Sequence, residues 1–373
     1  MKDKKILVIS PEKWGNNFVS KHHYANYLSK QNEVYFLNPP NAFSKKNLGQ
    51  VKCKTNSINS NLIIVDYVNL LPKLHQLPKT LQNTTYKKQA KQIQKYLNIE
   101  EFDIVWSFDP YRFWNLKNFS SLKYIYHCVD VHHAKYENAC AKSADLIVLV
   151  SYFFLEKFVE FKHKLVTGHG AHVISKPIEP LVLPGDNKYK IGLIGNFFST
   201  NLDYDQLLRI AEATTNKADL VLIGPIENNN LGGSSSAEVE SKISALKKMN
   251  HVHFLGALHP DELNQYLVKM DIHLILYKDF KRNINPHKLI QYLATGNTVM
   301  SSHIFDHEIY PDNSIYQIEN RDAGIEVNKL IYKLTFWNSD KLKNVRMDYA
   351  KNNDYDSKIK EIINSIDDKK NIQ

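Results

Sequence analysis

The residues best placed for chemistry lie in one short stretch, Asn283-Ile284-Asn285-Pro286-His287-Lys288-Leu289-Ile290-Gln291-Tyr292-Leu293-Ala294-Thr295-Gly296. It reads as one helix with both ends marked. Asn285 suits an N-cap, and Pro286 suits the first helical position, where a missing N–H costs nothing. Gly296 supplies a left-handed stop. Leu289, Ile290, Leu293 and Ala294 form an apolar face. His287, Lys288 and Gln291 point elsewhere, with Lys288 and Gln291 one turn apart. A helix start carrying a lysine in its first turn attracts anions. The chemistry predicted is recognition of a diphosphate and, through it, of a nucleotide-linked substrate.

Two sets of elements must position this stretch. In the first half, apolar strands at Lys5–Ser10, Glu33–Leu37, Asn61–Val65, Asp103–Phe108, Tyr124–Val129 and Asp145–Val150 alternate with helical patterns at Phe18–Lys30 and Thr80–Leu97. Ser175 to Lys188, with Pro177, Pro180, Pro184 and Gly185, reads as a linker. A second run follows: strands Lys190–Ile194, Ala218–Ile223, Val252–Phe254, Ile272–Tyr277 and Thr298–Ser301, and helices Tyr204–Ala213, Glu238–Lys248 and Asp261–Met270. Such alternation predicts parallel sheets with helical crossovers, hence an α/β protein with two doubly wound, Rossmann-like domains. The expected division is 1–176, 188–345, and a C-terminal helix in 346–373. That helix and Trp337 are expected to pack back on the first domain. Leu231-Gly232-Gly233-Ser234-Ser235-Ser236 reads as a surface loop.

Open parallel sheets bind ligands beyond the carboxyl ends of their strands. In the second domain those ends collect Gly195, Asn196 and Phe197, Gly224 and Pro225, Gly256, Tyr277, and the start of the marked helix with Asn285, His287, Lys288 and Gln291. Glycines let a backbone approach a ligand closely. Asn196 could bind phosphate or sugar, and Tyr277 or Phe197 could stack a base.

At 373 residues, 43% hydrophobic and 23% charged, the chain is an ordinary globular protein with room for two cores. Cys53, Cys128 and Cys140 show no metal spacing and fit reduced thiols in a cytoplasmic protein. No run is long enough for a membrane span, and the N-terminus runs into only a short apolar stretch, Ile6–Ile9, which reads as a strand rather than a signal peptide. The net charge is +9, and the excess sits in residues 1–180, with 25 Lys+Arg against 14 Asp+Glu. That suggests an anionic partner such as a membrane surface, or simply a solvated lysine-rich face. A basic helix at Thr80–Leu97 and the leucine-rich segment Leu70–Pro78 invite the same two readings: docking on an anionic bilayer, or leucines that cover the domain's own core. A P-loop and a dinucleotide-binding glycine fingerprint are both missing. No aromatic-basic stacking motif supports nucleic-acid binding. His22-His23, His132-His133, and His303 with His307 lack a carboxylate pattern to complete a metal site.

From Lys190 to Ile309 the chain resembles the donor domain of glycosyltransferases with the two-Rossmann GT-B architecture. It is most similar there to the retaining family-four type and the bacterial glucuronosyl- and teichuronic-acid-type transferases. The likeness rests on Ile191-Gly192-Leu193-Ile194-Gly195-Asn196, Leu220-Val221-Leu222-Ile223-Gly224-Pro225, Val252-His253-Phe254-Leu255-Gly256 and the Asn285–Gly296 helix. In outline it extends to Trp14-Gly15 and Tyr126–Asp130. The resemblance implies two domains facing a cleft, glycines facing a diphosphate, and Lys288 binding phosphate. Many members carry two glutamates eight positions apart, where this chain has Asn283 and Gln291. The glutamine resembles the inverting glucuronosyltransferase variant. Such enzymes typically need no catalytic metal.

An inverting sugar transfer needs a base near the acceptor hydroxyl and positive charge on the departing diphosphate. Asp130, at the end of an apolar strand, is the candidate base, with a helix N-cap as its alternative role; Lys288 is the candidate cation. Trp14, Gly15 and His169 are expected on the acceptor side or at the domain crossover. The expected activity is transfer of a sugar from a nucleotide-diphospho-sugar, a UDP-sugar first, to a polysaccharide or lipid-linked glycan. A non-catalytic sugar-nucleotide-binding subunit and an epimerase of the same fold are the alternatives. The first would bind donor without transferring it; the second would need no acceptor surface.

Overall fold

The computed structural model describes residues 1–15, 18–57, 59–132, 134–172, 181–226, 236–278, 285–303, 305, 309–319 and 322–368. His133, Asn283, His307, the glycine-serine loop at 231–235 and the proline-rich 175–180 lie outside the described residues. The chain divides into two units, one made of Met1–Gly168 with Tyr355–Gln373, the other of His169–Asp354.

The first unit runs β1 (Lys5–Ile9), α1 (Ser20–Leu28), β2 (Glu33–Leu37), β3 (Val51–Thr55), β4 (Leu62–Tyr67), α2 (Lys79–Leu97), β5 (Phe102–Ser107), β6 (Ser121–Cys128), α3 (Ala134–Ser143), β7 (Leu146–Leu149) and β8 (Lys164–Val166). The sheet order is β3-β4-β2-β1-β5-β6-β7-β8. The central register places Leu7 between Tyr35 and Val105. Ile6–Ile9 and Val34–Leu37 are buried throughout, as strands covered on both faces must be. Among the described strands of this sheet, only β3 pairs antiparallel, against β4. Sequence patterning misses it because Lys52, Cys53, Lys54 and Thr55 are all exposed on this edge strand.

The second unit runs β9 (Tyr189–Ile194), α4 (Tyr204–Thr214), β10 (Ala218–Ile223), α5 (Ala237–Lys247), β11 (Val252–Gly256), α6 (Pro260–Leu267), β12 (Ile272–Ile275), α7 (Lys288–Ala294), β13 (Thr298–Ser301), β14 (Ile315–Gln317), α8 (Ala323–Tyr332), α9 (Leu334–Trp337) and α10 (Asp340–Asn352). Its sheet is parallel throughout, in the order β11-β10-β9-β12-β13-β14. Caps fix several helix starts: Asp203 accepts from the Gln206 N–H, Ser236 from Val239, and Asp322 from Gly324 and Ile325.

The last helix, α11 (Tyr355–Asp368), belongs to the first unit. Tyr355 is fully buried there, stacked on His23 and edge-on to Tyr24, and Ile362 and Ile366 join the core around β1. Trp337 does not follow it. Its ring packs edge-on against Tyr316 in the second unit's core, 5.3 Å between centroids. No helix among the described residues is long and apolar enough to cross a membrane.

Candidate functional site

The carboxyl edge of the second sheet is built from three interlocked strand ends. The Gly195 N–H donates to the Ile223 carbonyl (3.0 Å), Phe197 N–H to Pro225 (3.1 Å) and Gly224 N–H to Gly256 (2.8 Å). Gly224 has φ +145°, and a Cβ there would lie 1.8 Å from the Gly195 carbonyl oxygen. No side chain can stand between these two turns, so bare backbone fronts the edge.

Helix α7 is pinned onto the end of β9 by two of its own side chains. Lys288 Nζ donates to the Ile194 carbonyl (2.9 Å), and the Tyr292 hydroxyl accepts from the Ile194 N–H (2.7 Å). Positions one turn apart on a helix thus take both backbone groups of one strand residue. The Lys288 ammonium also lies 4.7 Å from the centroid of the Tyr277 ring, a cation–π geometry. Burial pushes this lysine down to about 7. The site therefore holds a desolvated amine whose charge an incoming anion would stabilise. From behind, His273 stacks on Tyr292 at 4.4 Å; it is fully buried, and burial pushes it down to about 3.

The helix start differs from its sequence reading. Helix α7 opens at Lys288 with His287 at the cap position and no side-chain cap, so Pro286 sits before the helix. Asn285 is not the N-cap: its side-chain oxygen accepts from the Tyr310 hydroxyl (2.7 Å) and its carbonyl pairs with His169 Nε2 (2.7 Å). Tertiary partners win over local capping. Gly296 does take a left-handed φ of +78°. Arg346, fully buried, donates to the Gly296, Trp337 and Ser314 carbonyls and so closes the far end.

The structure brings Gly195, Gly224, Tyr277 and Lys288 together at this edge, and Gln291 lies on α7 three residues beyond Lys288. Gln291 is 9% exposed, and its amide makes no hydrogen bond among the described residues. Asn196 turns its side chain back to accept from the Phe198 N–H (3.1 Å), and half-buried Pro225 receives the Phe197 N–H. Phe197 cannot stack a base. It is fully buried in the core, edge-on to Phe254 at 5.5 Å. His169, buried and edge-on to His287 at 5.5 Å, supports the approach to α7.

In the first unit, Asp130 is exposed two residues beyond β6, and Trp14 and Gly15 are half-buried beyond β1. Trp14 packs edge-on against Phe36 at 5.0 Å, and its N–H donates to Asn38. Two buried carboxylates there escaped sequence reasoning. Glu137 accepts from the Tyr126 hydroxyl (2.9 Å) and the Cys128 thiol (3.0 Å) and pairs with Lys157, which also donates to the His132 carbonyl (2.9 Å). Asp109 holds Arg112 and accepts from the Tyr111 N–H. Both carboxylates are committed to internal partners. Asp130 is the one of the three whose side chain faces solvent.

His22, of the first histidine pair, has other work. His22 accepts from the Val19 N–H and reaches the Lys13 carbonyl, and burial pushes it down to about 4. Of two Asp-x-Asp triplets, the first is held in place, with Asp203 capping α4 and Asp205 paired with Lys242; in the second, Asp356 lies 3.5 Å from Lys30 on the surface beside buried Tyr355. Among the described residues no group of three or more His, Cys, Asp or Glu could hold a metal. The three cysteines are free thiols.

No family model and no curated protein matches the chain by sequence. Solved structures match over nearly its whole length. Sucrose-phosphate synthase from Thermosynechococcus elongatus superposes with a TM-score of 0.68 at 12% identity, over 97% of this chain and 99% of that one. HepE from Anabaena, solved with UDP and glucose, gives 0.66 at 13% identity, over 98% and 99%. A glycosyltransferase from Rickettsia africae gives 0.65 at 15% identity, over 98% of each chain. This chain has the GT-B fold. Its two Rossmann-like sheets are the two halves of that GT-B architecture, with the Lys288 edge on the second.

Proposed function

We propose that this protein is a glycosyltransferase that takes a sugar from a nucleotide-diphospho-sugar, specifically a UDP-sugar. The observation that carries the reading is Lys288: an ammonium at a strand carboxyl edge, seated over Tyr277 and beside the bare Gly195 and Gly224 backbones, in a chain of GT-B fold. The complex of HepE with UDP-glucose supports a UDP-sugar as donor.

In this mechanism the acceptor oxygen attacks the anomeric carbon as the bond to the diphosphate oxygen breaks. Asp130 takes the acceptor's proton. Lys288 offsets the charge that develops on the departing diphosphate, an interaction strongest in the transition state. Gln291 contacts ribose or phosphate from one turn further along. The transfer is metal-independent, so chelators leave it intact. The acceptor is a polysaccharide or lipid-linked glycan, met at the inner face of the cell membrane.

The test is thermal stabilisation by UDP, GDP, CMP and NAD, in the parent and in Lys288→Ala. A ligand at about a hundred times its dissociation constant adds about 2.7 kcal/mol. Stabilisation by UDP that shrinks in the variant supports the reading. Folded protein that ignores every nucleotide defeats it. Gln291 in place of a glutamate favours one second reading, a subunit that binds donor without transferring it. UDP binding with neither transfer nor hydrolysis of any UDP-sugar would select that one.

A further inference from the structure

Residues 41–99 contain ten lysines, no arginine and one acidic residue, Asp66, a balance of +9 that equals the net charge of the entire chain. The remaining sequence is therefore neutral overall. Nine of these lysines are exposed, all but Lys79. Helix α2 has no acidic residue in its 19 positions, and Lys87, Lys88, Lys91 and Lys95 stand on its solvent side. None of these four makes an ion pair among the described residues.

The same segment exposes large apolar side chains: Phe43, Leu48, Leu71, Leu81 and Tyr96 are 38% to 54% exposed. The loops that carry Leu48 and Leu71 are tied directly to α2. Gln92 donates to the Gly49 carbonyl (2.7 Å), and Gln89 accepts from the Leu70 N–H (2.9 Å). Edge loops and basic helix therefore form one continuous surface. Lys52 and Lys54 also guard the exposed edge strand against pairing, but the α2 lysines guard no edge. Leu74 is buried in the unit's own core, so the attraction is mainly electrostatic, with scattered apolar contacts.

We propose that this surface docks the first unit on an anionic lipid bilayer. Three features select a bilayer over a nucleic acid. All ten cations are lysines, point charges suited to a diffuse negative surface, whereas phosphate-by-phosphate recognition favours the forked guanidinium of arginine. The cations spread over a helix face and neighbouring loops. Apolar side chains between them can enter the headgroup layer, where a phosphodiester backbone would give them nothing. This inference goes beyond the donor reading and does not depend on it.

The test is co-sedimentation of the full chain with vesicles of phosphatidylcholine alone and of equal parts phosphatidylcholine and phosphatidylglycerol. The parent should bind the anionic vesicles only, and added salt should release it. Lys87→Gln/Lys88→Gln/Lys91→Gln/Lys95→Gln should weaken partitioning about 100-fold or more, at roughly one lysine's contribution per site. These lysines are exposed, so an unchanged circular dichroism spectrum and an unchanged response to UDP should confirm that the variant is folded. Equal binding to both vesicles, undiminished binding by the variant, or binding to single-stranded DNA in place of vesicles would each overturn the proposal. Lys288→Ala should bind vesicles like the parent, so a failed donor site and a failed docking surface give different results.

Discussion

Gly224 and Gly195 meet backbone to backbone: a Cβ added to Gly224 would fall 1.8 Å from the Gly195 carbonyl oxygen. Gly224 also has φ +145°, a conformation side chains rarely adopt. Gly224→Ala should therefore lose about 3 kcal/mol or fail to fold, combining backbone strain with overpacking. Gly256, one strand over, has φ +73° but nothing within 4 Å of an added Cβ. Gly256→Ala should lose only about 1 kcal/mol, from left-handed strain alone. Urea unfolding of the two variants checks the contrast; equal losses would show that strain rather than contact governs this edge.

Lys288 makes the nucleotide-free protein's stability depend on pH in a definite direction. Its folded value is pushed down to about 7, below the roughly 10.4 of an unfolded lysine. Between those values the unfolded chain holds the extra proton, so stability rises with pH from about 7 upward, by at most about 1.4 kcal/mol per unit. Lys288→Met should flatten that rise. A bound diphosphate favours the charged amine, so UDP binding above pH 7 should take up a proton and weaken as pH increases. Calorimetry in buffers of different ionisation enthalpy measures the uptake, and identical heats in every buffer would argue against Lys288 as the diphosphate's partner.

Asp130 and Glu137 should separate chemistry from folding. Asp130 is exposed, so Asp130→Asn should leave stability and UDP binding unchanged while lowering transfer about 100-fold or more, the usual loss of a general base. Glu137 is fully buried against Lys157, Tyr126 and Cys128. Glu137→Gln should destabilise the first unit by about 3 kcal/mol by leaving a cation poorly matched. Transfer assays beside denaturation curves distinguish the two. An Asp130→Asn enzyme at full rate would move the base elsewhere.

How much of this was legible depended on whether a residue's partners were local. Leu289, Ile290 and Leu293 are buried as their spacing requires, and Gly296 stops the helix left-handed. Asn285 looked like a cap, but Tyr310, 25 positions away, claims its side chain. Phe197 lies two residues after Gly195 at a strand end, where a base-stacking ring and a core ring look identical in sequence; packing against Phe254 decides it. Glu137 reads as one more solvated helix glutamate until the fold brings Lys157 to it. The sheets were readable because parallel strands bury both faces and leave unbroken apolar runs. Edge strand β3, with one face's worth of signal and four exposed residues, had none to offer.

Acid should weaken both units through histidines that are buried neutral. His22 in the first is pushed down to about 4 and His273 in the second to about 3, each by burial, against about 6.5 in an unfolded chain. Below about 6.5 the unfolded chain takes up protons that the folded one refuses, so stability falls with pH until each folded value is reached. The slope per histidine is at most about 1.4 kcal/mol per unit. His22→Gln should reduce the acid sensitivity of the first unit's melting, and His273→Gln that of the second. His273 lies between Tyr292, which holds Ile194, and Thr295 near the helix end, so its protonation should also loosen α7. UDP-induced stabilisation should accordingly decline below about pH 5 in the parent. An equal decline in His273→Gln would place the acid-sensitive group elsewhere.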